Sequence, residues 1–367
     1  MTGTGWITVQ LRFRGVRCSI GISRREQTVI RHLIPLTLTI VICRGGVAED
    51  LTRQPGYVKA EFIYQTAPFP QCHASTIVAT QSGLVTAFFA GTREKHPDVG
   101  IWVSRQEKTG WTAPTEVANG IVGPGTRYPT WNPVLFQPSR GPLILFYKLG
   151  PSPRNWWGMQ IQSTDDGRSW SAPEKLPAGI LGPIKNKPVE LADGTIVSGS
   201  STEDAGWRVH MEFGPAQGQS WSRSKPLNKR DELGVIQPTL LQFKDTLQIL
   251  CRSRQGKIAS AKSRDQGKTW SRFRLLEIPN PNSGIDAVSL SDGRGLLVFN
   301  DTPRGRSPLN VAVSGDGDTW KTVMTLENEP GEYSYPAVIQ SPDGLVHVTY
   351  TWQRRRVRHV VLDPQKF

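Results

Sequence analysis

Apolar positions along this chain cluster in short runs, and each run stops at a turn. Leu84-Val85-Thr86-Ala87-Phe88-Phe89 follows Ser82-Gly83, and Leu143-Ile144-Leu145-Phe146-Tyr147 follows Arg140-Gly141. Leu296-Leu297-Val298-Phe299 follows Asp292-Gly293, and Leu345-Val346-His347-Val348-Thr349-Tyr350 follows Asp343-Gly344. Asp193-Gly194 and Lys244-Asp245 mark two more turns of the same kind. Runs of this length, rich in β-branched and aromatic residues and bounded by turn residues, predict strands joined in hairpins. There are six such hairpins, and no long amphipathic helical pattern competes with them.

A second pattern runs in phase with the first. Ser-x-Asp-x-Gly-x-Thr/Ser-Trp is complete over 163–170 and again over 263–270. A copy one residue shorter spans 314–320, and two eroded copies end at Trp111 and Trp221. The five tryptophans stand 59, 51, 49 and 50 residues apart, and a fixed period near 50 marks a radial or stacked array. The Asp and Gly build a tight turn, and the Trp covers it with apolar surface. The motif is therefore structural. Six hairpins with tryptophan turns between them give about four strands per unit. The chain is predicted to be all-β, a six-bladed β-propeller of four-stranded antiparallel blades over 49–367. The missing sixth turn implies that both chain ends share the last blade. Arg356–Leu362 should then pair with a strand from 59–64, which hides an otherwise open edge.

Residues 1–48 differ in kind. Arg24, Arg25 and Arg31 precede an apolar stretch over 33–42, and Gly45-Gly46-Val47-Ala48 follows. Basic, apolar and small in that order reads as a secretory signal peptide, too short in its apolar part to span a bilayer comfortably. A secreted or periplasmic protein is expected, with no stable membrane insertion once the leader is removed. That segment carries seven Arg and one Glu, which leaves the remainder at +7 of the chain's +13. A moderately basic secreted protein suits an anionic glycan. No Lys/Arg stripe interleaved with aromatics suggests nucleic acid. Arg354-Arg355-Arg356 reads as a solvated turn. Cys72 and Cys251, expected on the inner strands of the first and fourth blades, should remain separate thiols. No Cys or His spacing resembles a metal site, so neither metal nor cofactor is expected. A monomer is expected.

In a propeller, polar residues at the ends of inner strands face one hub. In phase with the repeat stand Arg93, Lys187, Glu203, Arg208, Arg252, Arg306 and Asp286, with Trp156-Trp157 as a sugar-stacking candidate. Arginine on an inner strand requires a partner, which favours a functional reading.

Here the chain resembles the sialidase (neuraminidase) superfamily of Asp-box, BNR-repeat propellers, and within it a bacterial predicted-neuraminidase branch. The resemblance covers everything after the leader. It implies an exo-acting glycoside hydrolase whose three arginines clamp a substrate carboxylate, a task suited to the guanidinium fork. Arg306, ahead of Leu309-Asn310-Val311-Ala312-Val313-Ser314, matches the third arginine, and Arg252, on an inner strand, the second. The first is absent: Gln71-Cys72-His73-Ala74 stands there, and His73 is the nearest substitute. Asp98 matches the acid/base aspartate, with a raised pKa expected for proton donation. Tyr335, followed by a strand and Asp343-Gly344, matches the nucleophile; Tyr333, two residues earlier, should share its face. Gln237 occupies the seat of the glutamate that would activate the tyrosine, and as an amide it cannot serve as a base; Glu203 or Glu332 would have to act from another blade. Two alternatives remain open: a uronate polysaccharide lyase using His73 or Tyr335 as base, and a carbohydrate-binding propeller without catalysis.

Overall fold

The computed structural model describes residues 6–13, 16–23, 50–215 and 220–367. The chain forms two compact units, Met1–Gly46 and Val47–Phe367. In the first, Trp6–Phe13 and Val16–Ser23 pair as an antiparallel hairpin. The apolar stretch over 33–42 lies outside the described residues.

The second unit is a six-bladed β-propeller. Blade I begins with Gln71–Thr80, Gly83–Gly91 and Gly100–Glu107. Two short segments, Gly110–Trp111 and Thr115–Ala118, share its outer edge. Blade II is Thr130–Phe136, Leu143–Leu149, Trp157–Ser163 and Glu174–Lys175; blade III is Val189–Glu190, Thr195–Thr202, Arg208–Pro215 and Ser222–Arg223. Blade IV is Val235–Phe243, Thr246–Ser253, Lys257–Ser263 and Arg274–Pro279. Blade V is Asp286–Ser289, Gly295–Phe299, Leu309–Ser314 and Lys321–Glu327. In blade VI, Tyr333–Gln340, Val346–Trp352 and Arg356–Leu362 are completed by Tyr57–Phe62 from the other end of the chain. The closing strand starts two residues before the predicted segment, and Glu61 pairs with His359.

The apolar runs pack between blades, because each sheet buries both faces against its neighbours. Val85, Phe89, Leu145 and Tyr147 fill the interface of blades I and II. Leu296, Val298, Val348 and Tyr350 do the same between V and VI. Ile63, Tyr64, Cys72 and Phe88 close the ring between VI and I.

The complete tryptophan turns lie on the rim and are held chiefly by bonds within the turn, as at 263–270. Ser263 Oγ donates to Asp265 Oδ1 at 2.8 Å and accepts from Gly267 N at 2.9 Å. Thr269 N donates to the same carboxylate at 2.8 Å, and Trp270 Nε1 donates to Gly267 O at 2.8 Å. Gly267 has φ +86°, a conformation glycine adopts cheaply. Cys72 and Cys251 are free and buried, as expected. Cys251, however, lies on the second strand of its blade, as does Arg252, rather than on the inner one.

Four inner strands share a distortion. Their registers shift between His73 and Thr76, Trp131 and Val134, Ile236 and Thr239, and Ser334 and Ala337. Within each shift one residue is left-handed: Ala74 (φ +54°), Asn132 (+38°), Gln237 (+55°) and Tyr335 (+52°). Proline follows three of them, at 133, 238 and 336. It has no N–H to leave unpaired where the ladder is interrupted. A bulge of this kind re-aims one side chain per strand.

Candidate active site

Antiparallel pairing places the starts of inner strands, the ends of second strands and the loops beyond them at one face of the ring. All eleven candidate residues lie at that face. What they touch there differs.

Tyr335 is the centre of the cluster. Its bulge turns it away from Tyr333, which is buried in the interface of blades V and VI. The two tyrosines therefore do not share a face as a regular strand would require, because the left-handed residue breaks the alternation. Blade IV brings Arg252, whose Nη1 donates to Tyr335 Oη at 2.8 Å and to Gln237 Oε1 at 3.2 Å. Gln237 Nε2 donates to the same phenol oxygen at 3.3 Å. Asn282 of the loop before blade V fixes the far side of the guanidinium, accepting from Nε at 2.9 Å and, through its carbonyl, from Nη2 at 2.5 Å. Arg252 thus reaches the hub from a second strand because the bulge in its neighbour leaves room.

Three cations surround the tyrosine ring. The guanidinium carbons of Arg252 and Arg306 stand 5.8 and 5.6 Å from its centroid, and Lys185 Nζ stands 5.8 Å away. Distances under about 6 Å are within cation–π range. Gly284 lies flat on the ring, where a Cβ would come within 3.1 Å of Cδ2. Arg306 Nη1 also donates to Glu332 Oε1 at 2.9 Å.

His73 packs against Tyr335 with ring centroids 4.2 Å apart, and its Nδ1 is 3.0 Å from Thr351 Oγ1. Burial holds the imidazole well below its ordinary pKa, and the charges of Arg354, Arg306, Lys185 and Arg252 add to the effect. That environment disfavours a charged imidazole, which speaks against His73 standing in for a guanidinium as an anion clamp.

Asp98 sits on the same face, in the loop between the second and third strands of blade I, but is bound within that loop. Thr92 donates to it through N at 3.0 Å and Oγ1 at 2.6 Å, and His96 Nδ1 lies 2.7 Å away. Burial opposes ionisation, yet the hydrogen bonds from Thr92 and His96 prevail and hold the carboxyl below its ordinary range. The raised pKa expected of a proton donor is not what this loop produces. Arg93, at the tip of the same loop, is exposed.

Lys187 and Asp286 are joined to each other. Lys187 Nζ donates to Asp286 Oδ2 at 3.1 Å and to Ala287 O at 2.7 Å. Asp286 is 2% exposed and also accepts from Thr239 Oγ1 at 2.7 Å and Val338 N at 2.9 Å, so one carboxylate ties blades III, IV, V and VI. Its oxygens are occupied by protein donors, which corrects its reading as an open substrate contact. Lys185, two residues from Lys187, crosses the axis to donate to Ile285 O at 3.0 Å and to Pro336 O. Burial pushes its pKa down to about 7, against the pull of Asp286.

Glu203 accepts from Trp207 Nε1 at 3.2 Å. The indole ring of Trp207 lies against both Arg254 (4.3 Å) and Arg252 (5.4 Å), so Glu203 reaches the tyrosine only through two intermediates. Arg208 opens the third strand of blade III, half-buried, and its charge helps to lower the pKa of Asp204. Sequence reasoning did not single out Lys185, Asn282 or Trp207, and it read Arg354 as part of a solvated turn, whereas its guanidinium donates to Glu332 and Glu94. Proline at 133, 238 and 336 was the available signal for three of the bulges.

A model of the BNR repeat-like domain matches residues 82–348. The chain belongs to the BNR repeat-like family. A sialidase of Micromonospora viridifaciens is 26% identical over 290 residues, covering 74% of this chain and 41% of that protein. A sialidase of Bacteroides fragilis (strain YCH46) is 25% identical over 214 residues, covering 48% and 38%. The chain thus spans about two fifths of the length of these curated relatives. Among solved structures, a protein of unknown function from Dyadobacter fermentans DSM 18053 superposes with a TM-score of 0.70 at 18% identity, over 85% of this chain and 99% of that one. Solved sialidases share the fold as well. The resemblance of this BNR-repeat propeller to the sialidase superfamily stands. No helix among the described residues is long and apolar enough to cross a membrane.

Proposed function

We propose that this BNR-repeat propeller is an exo-acting glycoside hydrolase for a glycan ending in a carboxylated sugar, sialic or uronic acid. One observation carries the reading. Guanidinium groups from blades IV and V meet at a tyrosine from blade VI, and one of them donates to its hydroxyl at 2.8 Å. Arg252 and Arg306 would take the carboxylate, since forked, permanently charged donors suit a planar anion. Tyr335 would face the anomeric carbon as nucleophile or as stabiliser of the positive charge that develops there. A neutral phenol avoids the repulsion a carboxylate would meet beside an anionic sugar, and sialidases are a known tyrosine exception.

Asp98 is the weak part of this mechanism. Its carboxylate would have to exchange Thr92 and His96 for the leaving oxygen before it could hold a proton there. That ionised Asp98, with amide Gln237 at the tyrosine, favours a second reading, binding of the acidic sugar without turnover. Residues 1–48 are proposed as an export leader that would deliver either activity outside the cytoplasm.

The test is incubation of purified protein with sialosides and uronate-containing oligosaccharides, read by mass spectrometry. Release of a saturated acidic monosaccharide is the expected result. Binding without any product would establish the second reading. An unsaturated product absorbing in the ultraviolet would identify a lyase.

A further inference from the structure

One segment, 183–187, reaches three of the four bulges at the hub on its way from blade II into blade III. Ile184 N donates to Gly199 O at 3.1 Å, and Asn132, the left-handed residue of blade II, donates through Nδ2 to Ile184 O at 3.2 Å. Asn186 Nδ2 donates at 3.1 Å to the carbonyl of Gln237, the left-handed residue of blade IV. Lys185 crosses to blade VI and donates to the carbonyl of Pro336, the residue after Tyr335. Its second acceptor is Ile285 O at 3.0 Å, in the loop before blade V. A bulge leaves main-chain groups outside the ladder, and Lys185 supplies the donor that holds the one carrying Tyr335.

Lys185 is buried, and both of these acceptors are neutral carbonyls. The carboxylate that attracts it, Asp286 of blade V, is already bound by Lys187, Thr239 and Val338. Cations face it from other sides: Lys187 on its own segment, Arg252 of blade IV, and Arg306 of blade V over the same tyrosine ring. Lys148 of blade II donates to Pro183 O two residues away, and His73 of blade I is itself buried and disfavoured as a cation. Burial, with like charges adding to it, makes the ammonium costly and brings its pKa to about 7. An ammonium has three N–H groups and a neutral amine two, so both carbonyls keep a donor in either state. Titration of residue 185 therefore changes the charge beside Tyr335 and leaves the bulge in place.

We propose that Lys185 is a positioning residue that holds Tyr335 through Pro336, and that an acidic ligand at the hub binds together with a proton taken from solvent by the Lys185 amine. The proton goes to Nζ, and no bond forms between lysine and ligand. The inference rests on the reading of this hub as a site for an acidic sugar. A carboxylate beside Arg252 and Arg306 would supply the negative charge that Lys185 lacks, and a nearby opposite charge favours the ammonium. Acidic sugars would then be held more tightly on the acid side of neutrality, where the lysine is already charged.

Titration calorimetry of N-acetylneuraminic acid and of glucuronic acid, in buffers of different ionisation enthalpy, counts the protons taken up. Near pH 7.5 the unmodified protein should take up about half a proton with the acid it binds, and should hold that acid about fivefold more weakly at pH 8.5 than at pH 6. Lys185→Met should abolish the uptake and flatten the pH dependence. A lysine that only ties blades together would give no uptake in the unmodified protein. Carbon-13 labelling of lysine Cε gives a readout that needs no variant: one resonance should titrate near pH 7, and its midpoint should rise when the acid is added. Acid binding without proton uptake, uptake that persists in Lys185→Met, or no lysine resonance that responds to the acid would overturn this inference alone. Failure of both acids to bind would overturn the reading of the hub and this inference with it.

Discussion

The rim and the hub of this propeller are built on opposite terms. At the rim, Asp265 accepts from Ser263 and Thr269 of its own turn, and the same arrangement recurs around Asp165 and Asp316. The Ser, Asp and Thr/Ser bonds of each rim turn close within eight residues or fewer, although Gly317 O of the third also accepts from Gln248 of blade IV. At the hub, no residue is complete alone. Asp286 needs donors from three other blades, and Tyr335 meets side chains from blades I, III, IV and V. Repetition builds a frame from local bonds, and chemistry arises where non-repeating residues are forced together by long-range contacts.

The contrast can be broken most severely at the tyrosine. Tyr335→Phe removes only the hydroxyl that Arg252 and Gln237 hold. Turnover of an accepted substrate should fall by about 10²–10³-fold, as for loss of one preorganised electrostatic contact, with the melting temperature little changed. Steady-state kinetics with a calorimetric melt would show it; equal losses in both would mean the tyrosine is only packing.

At the frame of the hub, Asp286→Ala strands Lys187, Thr239 Oγ1 and Val338 N together. Loss of a buried charge with several partners should cost about 3–5 kcal/mol in urea unfolding. A loss near zero would show that the hub is not held by this carboxylate.

Blade VI, where the chain ends meet, sharpens the comparison through pH. Burial pushes His347 down to about 4, with His359 nearby adding to the effect, and Glu61 is held down at about 2, chiefly by its bond to His359. Between pH 6.5 and 4 the unfolded chain binds a proton at residue 347 that the folded chain refuses. The stabilisation is therefore full above pH 6.5 and is lost as pH falls toward 4, on the order of 3 kcal/mol. Glu61 extends the loss from about 4.5 toward 2 with the same sign. Unfolding curves measured across that range should show the decline, and His347→Gln should flatten its upper part.

The smallest effect belongs to the rim. Ser263→Ala leaves Gly267 N without its acceptor and should cost about 1 kcal/mol, with no change in sugar binding. A larger loss, or any change at the hub, would mean that the turns are not independent of one another.

The same contrast explains what the sequence disclosed. The Ser-x-Asp-x-Gly-x-Thr/Ser-Trp turns and the six hairpins are local, so their residues announce them, and blade number and ring closure follow. Arg252, Arg306 and Tyr335 were found because the residues around them resemble the sialidase pattern. The bulges were marked only by the prolines at 133, 238 and 336, because Ala74, Asn132, Gln237 and Tyr335 take left-handed backbone without being glycine. The bulge misplaced Tyr333 relative to Tyr335. Asp98 lies at the hub face, but the bonds from Thr92 and His96 that set its charge are a property of the folded loop. Arg354 was obscured by two neighbouring arginines, and nothing local distinguishes a guanidinium directed inward from one in solvent.

The central claim is that residues 252, 306 and 335, far apart in the chain, form one grip for an acidic sugar. A crystal structure with N-acetylneuraminic acid bound tests it most directly. The account predicts the carboxylate within hydrogen-bond distance of Arg252 and Arg306, and the anomeric carbon facing Tyr335. A sugar bound at the rim, or at the hub with its carboxylate turned away from both arginines, would contradict it.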